Sequence, residues 1–192
     1  MVETGMKILH LPGLVLGALI LPSVASAHRL DEYLQATLVT IDSGEVRLQI
    51  NLTPGVAVAE QVLALIDRDH DGTISTNEAR VYSELLQEKL TVRLDGRKLS
   101  LKIKASDFPP VSELLTGWGI IQLEFTAHFP SLAPGEHHLT LKNRHLPSLS
   151  VYLLNAARPK AGLEITKQRR NKNQSSGEIE FRISTGKAQM AG

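Results

Sequence analysis

At 192 residues the chain has room for one domain, or one domain with a small insert. Its 21 Lys and Arg stand against 20 Asp and Glu, so the net charge of +1 excludes a sequence-wide pull toward nucleic acid and any charge-driven function must be local. The absence of cysteine excludes a disulfide framework, a thiolate metal site and a cysteine nucleophile; aromatic residues at 4% leave the core to Leu, Val, Ile and Ala.

The chain opens with Lys7, an apolar run from Leu11 to Pro22, and the small residues Ala25-Ser26-Ala27. That order of charge, hydrophobic stretch and small-residue site predicts a secretory signal over residues 1–27, cleaved after Ala27. No later stretch approaches the roughly 18 to 20 apolar residues a membrane span needs, so no span is expected after cleavage. An exported chain without cysteine suits a bacterial envelope, which predicts a periplasmic or secreted protein. The triplets at Asn51 and Asn173 that match a glycosylation acceptor are read as accidental there.

Residues 28–192 read as one β-rich domain with a helical insert at about 56–90. From Tyr33 to Ile41 polar and apolar residues alternate, with Leu34, Ala36 and Leu38 on one side; Asp42-Ser43-Gly44-Glu45 supplies a turn, and Val46, Leu48 and Ile50 point inward from a second strand. Thr53-Pro54-Gly55 breaks that strand, and Val56 to Ile66 has helix length without turn residues. A second helix is expected from about Thr76 to Leu90. Asp95-Gly96 then predicts a tight hairpin between Thr91–Leu94 and Lys98–Lys104. Val111 to Gly119 reads as containing a short helical turn. Further strands are expected at Ile120–Phe129, His137–Lys142, Ser150–Leu154, Leu163–Lys167 and Ile179–Ile183. The fold class is therefore mainly β with an α insert: an antiparallel β-sandwich or open barrel carrying one helix-loop-helix.

Between the two helices runs Asp67-Arg68-Asp69-His70-Asp71-Gly72-Thr73-Ile74-Ser75-Thr76-Asn77-Glu78. Carboxylates at its first, third and fifth positions can turn inward while the chain curls, and Gly72 at the sixth permits the bend. Thr73 offers its carbonyl, Ser75 a direct or water-mediated oxygen, and Glu78 both carboxylate oxygens. The metal ligands expected are thus Asp67, Asp69, Asp71, Thr73, Ser75 and Glu78. The flanks agree: Ala59, Val62, Leu63 and Ile66 share one helix face before the loop, and Ala79, Tyr82, Leu85 and Leu86 share one after it. The competing reading is an acidic loop that only links two helices, in which four carboxylates would repel one another without an ion.

Over Val56 to Leu90 this pattern resembles the EF-hand superfamily, and the resemblance implies Ca2+ binding at a single site. Magnesium is the weaker rival, since it prefers a tighter octahedron and keeps water. For an exported single site the expected dissociation constant is on the order of 10⁻⁵ to 10⁻³ M, which favours a structural clamp over a sensor. Ile74, the apolar eighth position, is expected to pack on the protein's own β body or to pair two chains as a homodimer.

The start of the mature chain, from Ala27-His28 to about Ile41, is similar to the exported N-terminal segments of HupE/UreJ-type metal permease proteins. Here no spans follow the β region, so transport is not carried over. The alternative function is an envelope metal-handling accessory protein holding copper or nickel through the amine and imidazole of His28, helped by His137, His138 or His145. Adjacent His137 and His138 would face opposite sides of a strand. The basic run Lys167 to Asn173 reads as a solvated hairpin loop, although it has the charge to touch anionic lipid or polysaccharide. Trp118 reads as a partly buried core residue. Asp31 and Glu32 form no catalytic pair, and no nucleotide loop, nucleophile elbow or zinc-protease helix is present, so the chain is not expected to be an enzyme. Its partner is expected to be a protein of the cell envelope.

Overall fold

The computed structural model describes residues 31–184; the expected signal over residues 1–27 and His28 lie outside them. Ten strands form two separate five-stranded sheets, neither of them closed, and three helices accompany them among the described residues. The expectation of a mainly β chain with a helix-loop-helix insert is what the structure shows.

The first sheet takes β1 (Tyr33–Ile41), β2 (Glu45–Pro54), β5 (Lys102–Asp107), β6 (Ile121–His128) and β8 (Ser150–Ala156) in the order β5-β6-β2-β1-β8. The second takes β3 (Leu90–Leu94), β4 (Arg97–Lys98), β7 (Gly135–Asn143), β9 (Leu163–Arg170) and β10 (Ser176–Ile183) in the order β4-β3-β7-β10-β9. All neighbours are antiparallel except β1 and β8, which run parallel. One hydrophobic core lies between the sheets, built from Leu48, Ile50 and Phe125 on one side and Val92, Leu139 and Phe181 on the other. Alternation along β1, β2, β3 and β10 puts every second side chain into that core, whereas β4 and β5 at the sheet edges bury none.

Glycine at position 177 lets the sheets approach. A β-carbon there would sit 2.5 Å from Cδ2 of Leu154 and 2.9 Å from the Arg169 carbonyl, so any larger residue forces β10 away from β8.

Three sequence expectations change, and one is sharpened. Leu34, Ala36 and Leu38 share a face as expected; it is the outer one, and β1 buries Tyr33, Gln35, Thr37, Val39 and Ile41. Register decides this: Val39 lies opposite Leu48 and Thr37 opposite Ile50, and the buried Gln35 amide is satisfied by Asn143, Ser150 and the His145 carbonyl. The hairpin at Asp95-Gly96 forms, with positive φ at both residues, but the strand expected over Lys98–Lys104 is split. The chain leaves after Lys98, buries Leu101, and joins the other sheet as β5. Lys167 to Arg170 belongs to β9, and only the end of the basic run lies in the β9–β10 turn. Finally, Trp118 is 72% exposed rather than part of the core.

Helices α1 (Val56–Ile66) and α2 (Thr76–Lys89) connect β2 to β3, and α3 (Val111–Leu115) connects β5 to β6. Helix α1 buries Val58, Ala59, Val62 and Ile66, with Leu63 half-buried. Burying each of the larger side chains contributes roughly 1.5–3 kcal/mol, which fixes the entry to the loop more firmly than helix propensity does. Helix α2 buries Tyr82, Ser83 and Leu86 and ends where Leu90 enters β3. No helix among the described residues is long and apolar enough to cross a membrane.

Candidate metal centre

The acidic loop is framed by helix ends. Asp67 is the C-cap of α1, with its N–H bonded to the Leu63 carbonyl, and Ser75 is the N-cap of α2. Between them the chain turns through left-handed backbone at His70 (φ 59°) and Gly72 (φ 81°). A β-carbon on Gly72 would meet nothing within 4 Å, so glycine is required there by conformation and not by space.

This path gathers three carboxylates. One oxygen each of Asp67, Asp69 and Asp71 lies within 4.8 Å of the others, and no other group of three or more potential ligating side chains occurs among the described residues. Asp67 is buried and accepts hydrogen bonds from the backbone N–H groups of Asp71 (3.2 Å) and Gly72 (3.1 Å). Oδ1 of Asp71 accepts from the Thr73 N–H at 2.8 Å and from its hydroxyl at 2.7 Å. These internal bonds preorganise the loop and leave the carboxylates on a common side.

Glu78 stands apart from that trio. Its Oε1 accepts from the Arg68 N–H at 2.7 Å, and its Oε2 accepts from the Ser75 N–H at 2.9 Å and the Ser75 hydroxyl at 2.8 Å. Ser75 Oγ in turn accepts from the Glu78 N–H at 3.3 Å, completing a reciprocal capping box. The side chain therefore ties the second loop position to the ninth. Bonds from the Ser75 N–H and hydroxyl, then from the Arg68 N–H, hold the carboxyl down at about 2, so Glu78 is ionised throughout the physiological range. Ser75→Ala is expected to cost about 0.5–2 kcal/mol with or without calcium, because it removes the cap. Chemical denaturation in EDTA checks this, and a loss confined to calcium-containing buffer would contradict it.

An all-oxygen donor set suits a hard cation such as calcium. Asp67, Asp69 and Asp71 bring one oxygen each within reach of a single ion, while the Thr73 hydroxyl is bonded to Asp71, the Ser75 hydroxyl to Glu78, and both Glu78 oxygens to loop donors. A bound ion would neutralise the converging negative charge and draw both helix ends together. Ile74 is half-buried and packs against the protein's own core.

Of the histidines named for a second metal site, His137, His138 and His145 are described and have other partners. His145 is buried, and its Nε2 lies 2.9 Å from the Tyr82 hydroxyl, which lies 2.7 Å from that of Tyr33. This chain links α2 to β1 and to the β7–β8 connection. Sequence reading missed it, since nothing in the spacing of residues 33, 82 and 145 announces a contact. His137 sits between the Asp95 carboxylate (2.8 Å) and the Ala133 carbonyl (2.8 Å), while His138 lies on the opposite face near Glu178.

Burial, with a smaller push from Lys89, lowers the His145 imidazole to about 4, so the ring is neutral near pH 7. An unfolded histidine titrates near 6.5. Stability from His145 is therefore complete above about pH 6.5 and lost as pH falls toward 4, where the unfolded chain takes up a proton that the folded state refuses. His137 has the opposite sign: burial disfavours its imidazolium, but the Ala133 carbonyl and Asp95 carboxylate outweigh burial and raise its pKa. Its contribution is complete below the unfolded value and fades as pH rises through the folded one. Urea midpoints measured from pH 7 to pH 4 are expected to fall in the native chain and to flatten in His145→Gln; equal slopes would assign the acid sensitivity elsewhere.

No protein-family model matches the chain, and no curated protein is significantly similar to it.

Proposed function

We propose that the protein binds one calcium ion through the Asp67–Glu78 loop, and that the ion acts as a structural clamp on the helix-loop-helix. The convergence of Asp67, Asp69 and Asp71 within 4.8 Å, around a bend that Gly72 makes possible, is the observation that supports this reading most directly. The protein is an exported, periplasmic or secreted accessory domain that engages a protein partner of the envelope. Calcium suits that place: with a dissociation constant of about 0.1 mM and about 1 mM calcium outside the cell, mass action adds roughly 1.4 kcal/mol to stability.

Isothermal titration of the EDTA-stripped protein with calcium tests the reading. One saturable site is expected, with magnesium competing weakly. Absence of heat and of any chelator effect at millimolar calcium would leave the loop as a helix connector only. Titration with copper and nickel of protein beginning at His28 separates the transition-metal alternative, since a site built on a free amine disappears when the N-terminus is extended.

A further inference from the structure

The outer face of the β4-β3-β7-β10-β9 sheet carries a concavity of about 620 Å³ that the calcium reading does not use. Arg93, Lys142, Arg144 and Arg169 line it against a single carboxylate, Glu178, while Arg170 borders it with its guanidinium turned to the opposite face, onto Asn155. In a chain whose net charge is only +1, that is a local excess of one sign. We propose that this trough binds a small soluble oligoanion, a molecule carrying at least two phosphate or carboxylate groups.

Strand register explains how the charges come together. Arg93 pairs with Thr140, Thr140 with Glu178, and Glu178 with Arg169, forming one row across four strands. Thr91, Lys142 and Ser176 form the neighbouring row. Strands lie about 4.8 Å apart and same-face residues about 7 Å apart, so the row ends are about 14 Å from each other and the rows about 7 Å apart. Two or more anionic groups on one molecule can span those intervals, whereas a single inorganic anion meets only part of the array. The hydroxyls of Thr91, Thr140 and Ser176 add neutral donors along the lining.

The cations are not all spent on the protein. Arg169 is bridged to Glu180 at 2.7 Å, Arg170 donates to Asn155 at 2.6 Å, and Arg93 donates to the Gly96 carbonyl at 2.9 Å. The Lys142 ammonium and the Arg144 guanidinium make no hydrogen bond or ion pair among the described residues. They are the groups with most to gain from an anion, through charge-assisted bonds that a recess strengthens. The recess also decides between ligand forms. Its volume falls in the range of small-molecule sites, and charges lining a hollow meet an inserted molecule more closely than a flat lipid surface.

The test is calorimetric titration of the full chain with inositol hexakisphosphate and, separately, with trigalacturonic acid, which distinguishes phosphate from carboxylate as the preferred group. Anionic phosphatidylglycerol vesicles form a third arm. Saturable binding of at least one soluble probe is expected, weakening as salt rises from about 50 to about 300 mM. Lys142→Ala with Arg144→Ala is expected to weaken it by about tenfold or more. The control pair Lys102→Ala with Lys104→Ala, of equal charge loss on the other sheet, is expected to leave it within about twofold. Melting curves establish that both doubles fold. Binding of neither soluble probe, binding untouched by the Lys142 and Arg144 changes, equal loss in the control, or binding to vesicles alone each overturns the proposal. Calcium is absent throughout, so the outcome is independent of the metal site.

Discussion

Replacing Tyr82 by phenylalanine is expected to lower the unfolding free energy by about 2 to 6 kcal/mol, because two buried groups lose a partner at once and each orphan costs about 1–3 kcal/mol. The Tyr82 hydroxyl sits between the Tyr33 hydroxyl and His145 Nε2, and all three residues are buried. Among the described residues no buried side-chain nitrogen or oxygen lacks a hydrogen bond, so the change would break a fully satisfied network. Ring packing would survive: Tyr82 lies edge-on to Phe108 and His145, at centroid distances of 6.1 and 5.4 Å, and phenylalanine keeps both contacts. Tyr33→Phe should cost less, since Tyr82 then still bonds His145. The double variant should fall short of the sum of the single ones, because both changes remove the same Tyr33–Tyr82 bond. Urea denaturation of the three variants measures this. A Tyr82→Phe cost below about 0.5 kcal/mol would mean that apolar packing alone seats α2.

That network also marks where sequence reading stops. Local rules carried the elements well: the alternation of Val46, Leu48 and Ile50 placed β2, the Asp95-Gly96 pair placed a tight turn, and the periodicity of Val56–Ile66 matched α1 end to end. The convergence of Asp67, Asp69 and Asp71 was equally legible, because alternate positions of one short loop come together as the chain turns through left-handed backbone at His70 and Gly72. What local rules left open depended on distant partners. Burial of the Gln35 and Thr37 face of β1, with Leu34 and Leu38 outside, reflects the register with β2 and an amide satisfied by residues more than a hundred positions away. The parallel pairing of β1 with β8, and the crossing of β5 to the other sheet, are likewise set by the whole core. Trp118 misled for a simpler reason: average burial of a residue type says little about one position in a short connection.

The same separation between local and distant determinants makes Glu78→Gln the sharpest probe of the calcium reading. The single oxygen of glutamine can still accept from the Ser75 N–H and hydroxyl, so the capping box that starts α2 is expected to persist, while its NH2 group cannot accept from the Arg68 N–H and that bond is lost. It also lacks the negative charge. Calcium affinity depends strongly on the number of charged oxygens, so titration is expected to show a loss of at least about tenfold, equivalent to 1.4 kcal/mol of binding. The apo melting temperature in EDTA is expected to fall through the lost Arg68 bond, and the calcium-dependent rise, which is the deciding readout, should vanish at concentrations that stabilise the native protein. Ser75→Ala costs stability in both buffers. If calcium instead still stabilises the Glu78→Gln variant fully, then Glu78 serves the helix cap alone and the ion, where bound, is held by Asp67, Asp69 and Asp71 without it.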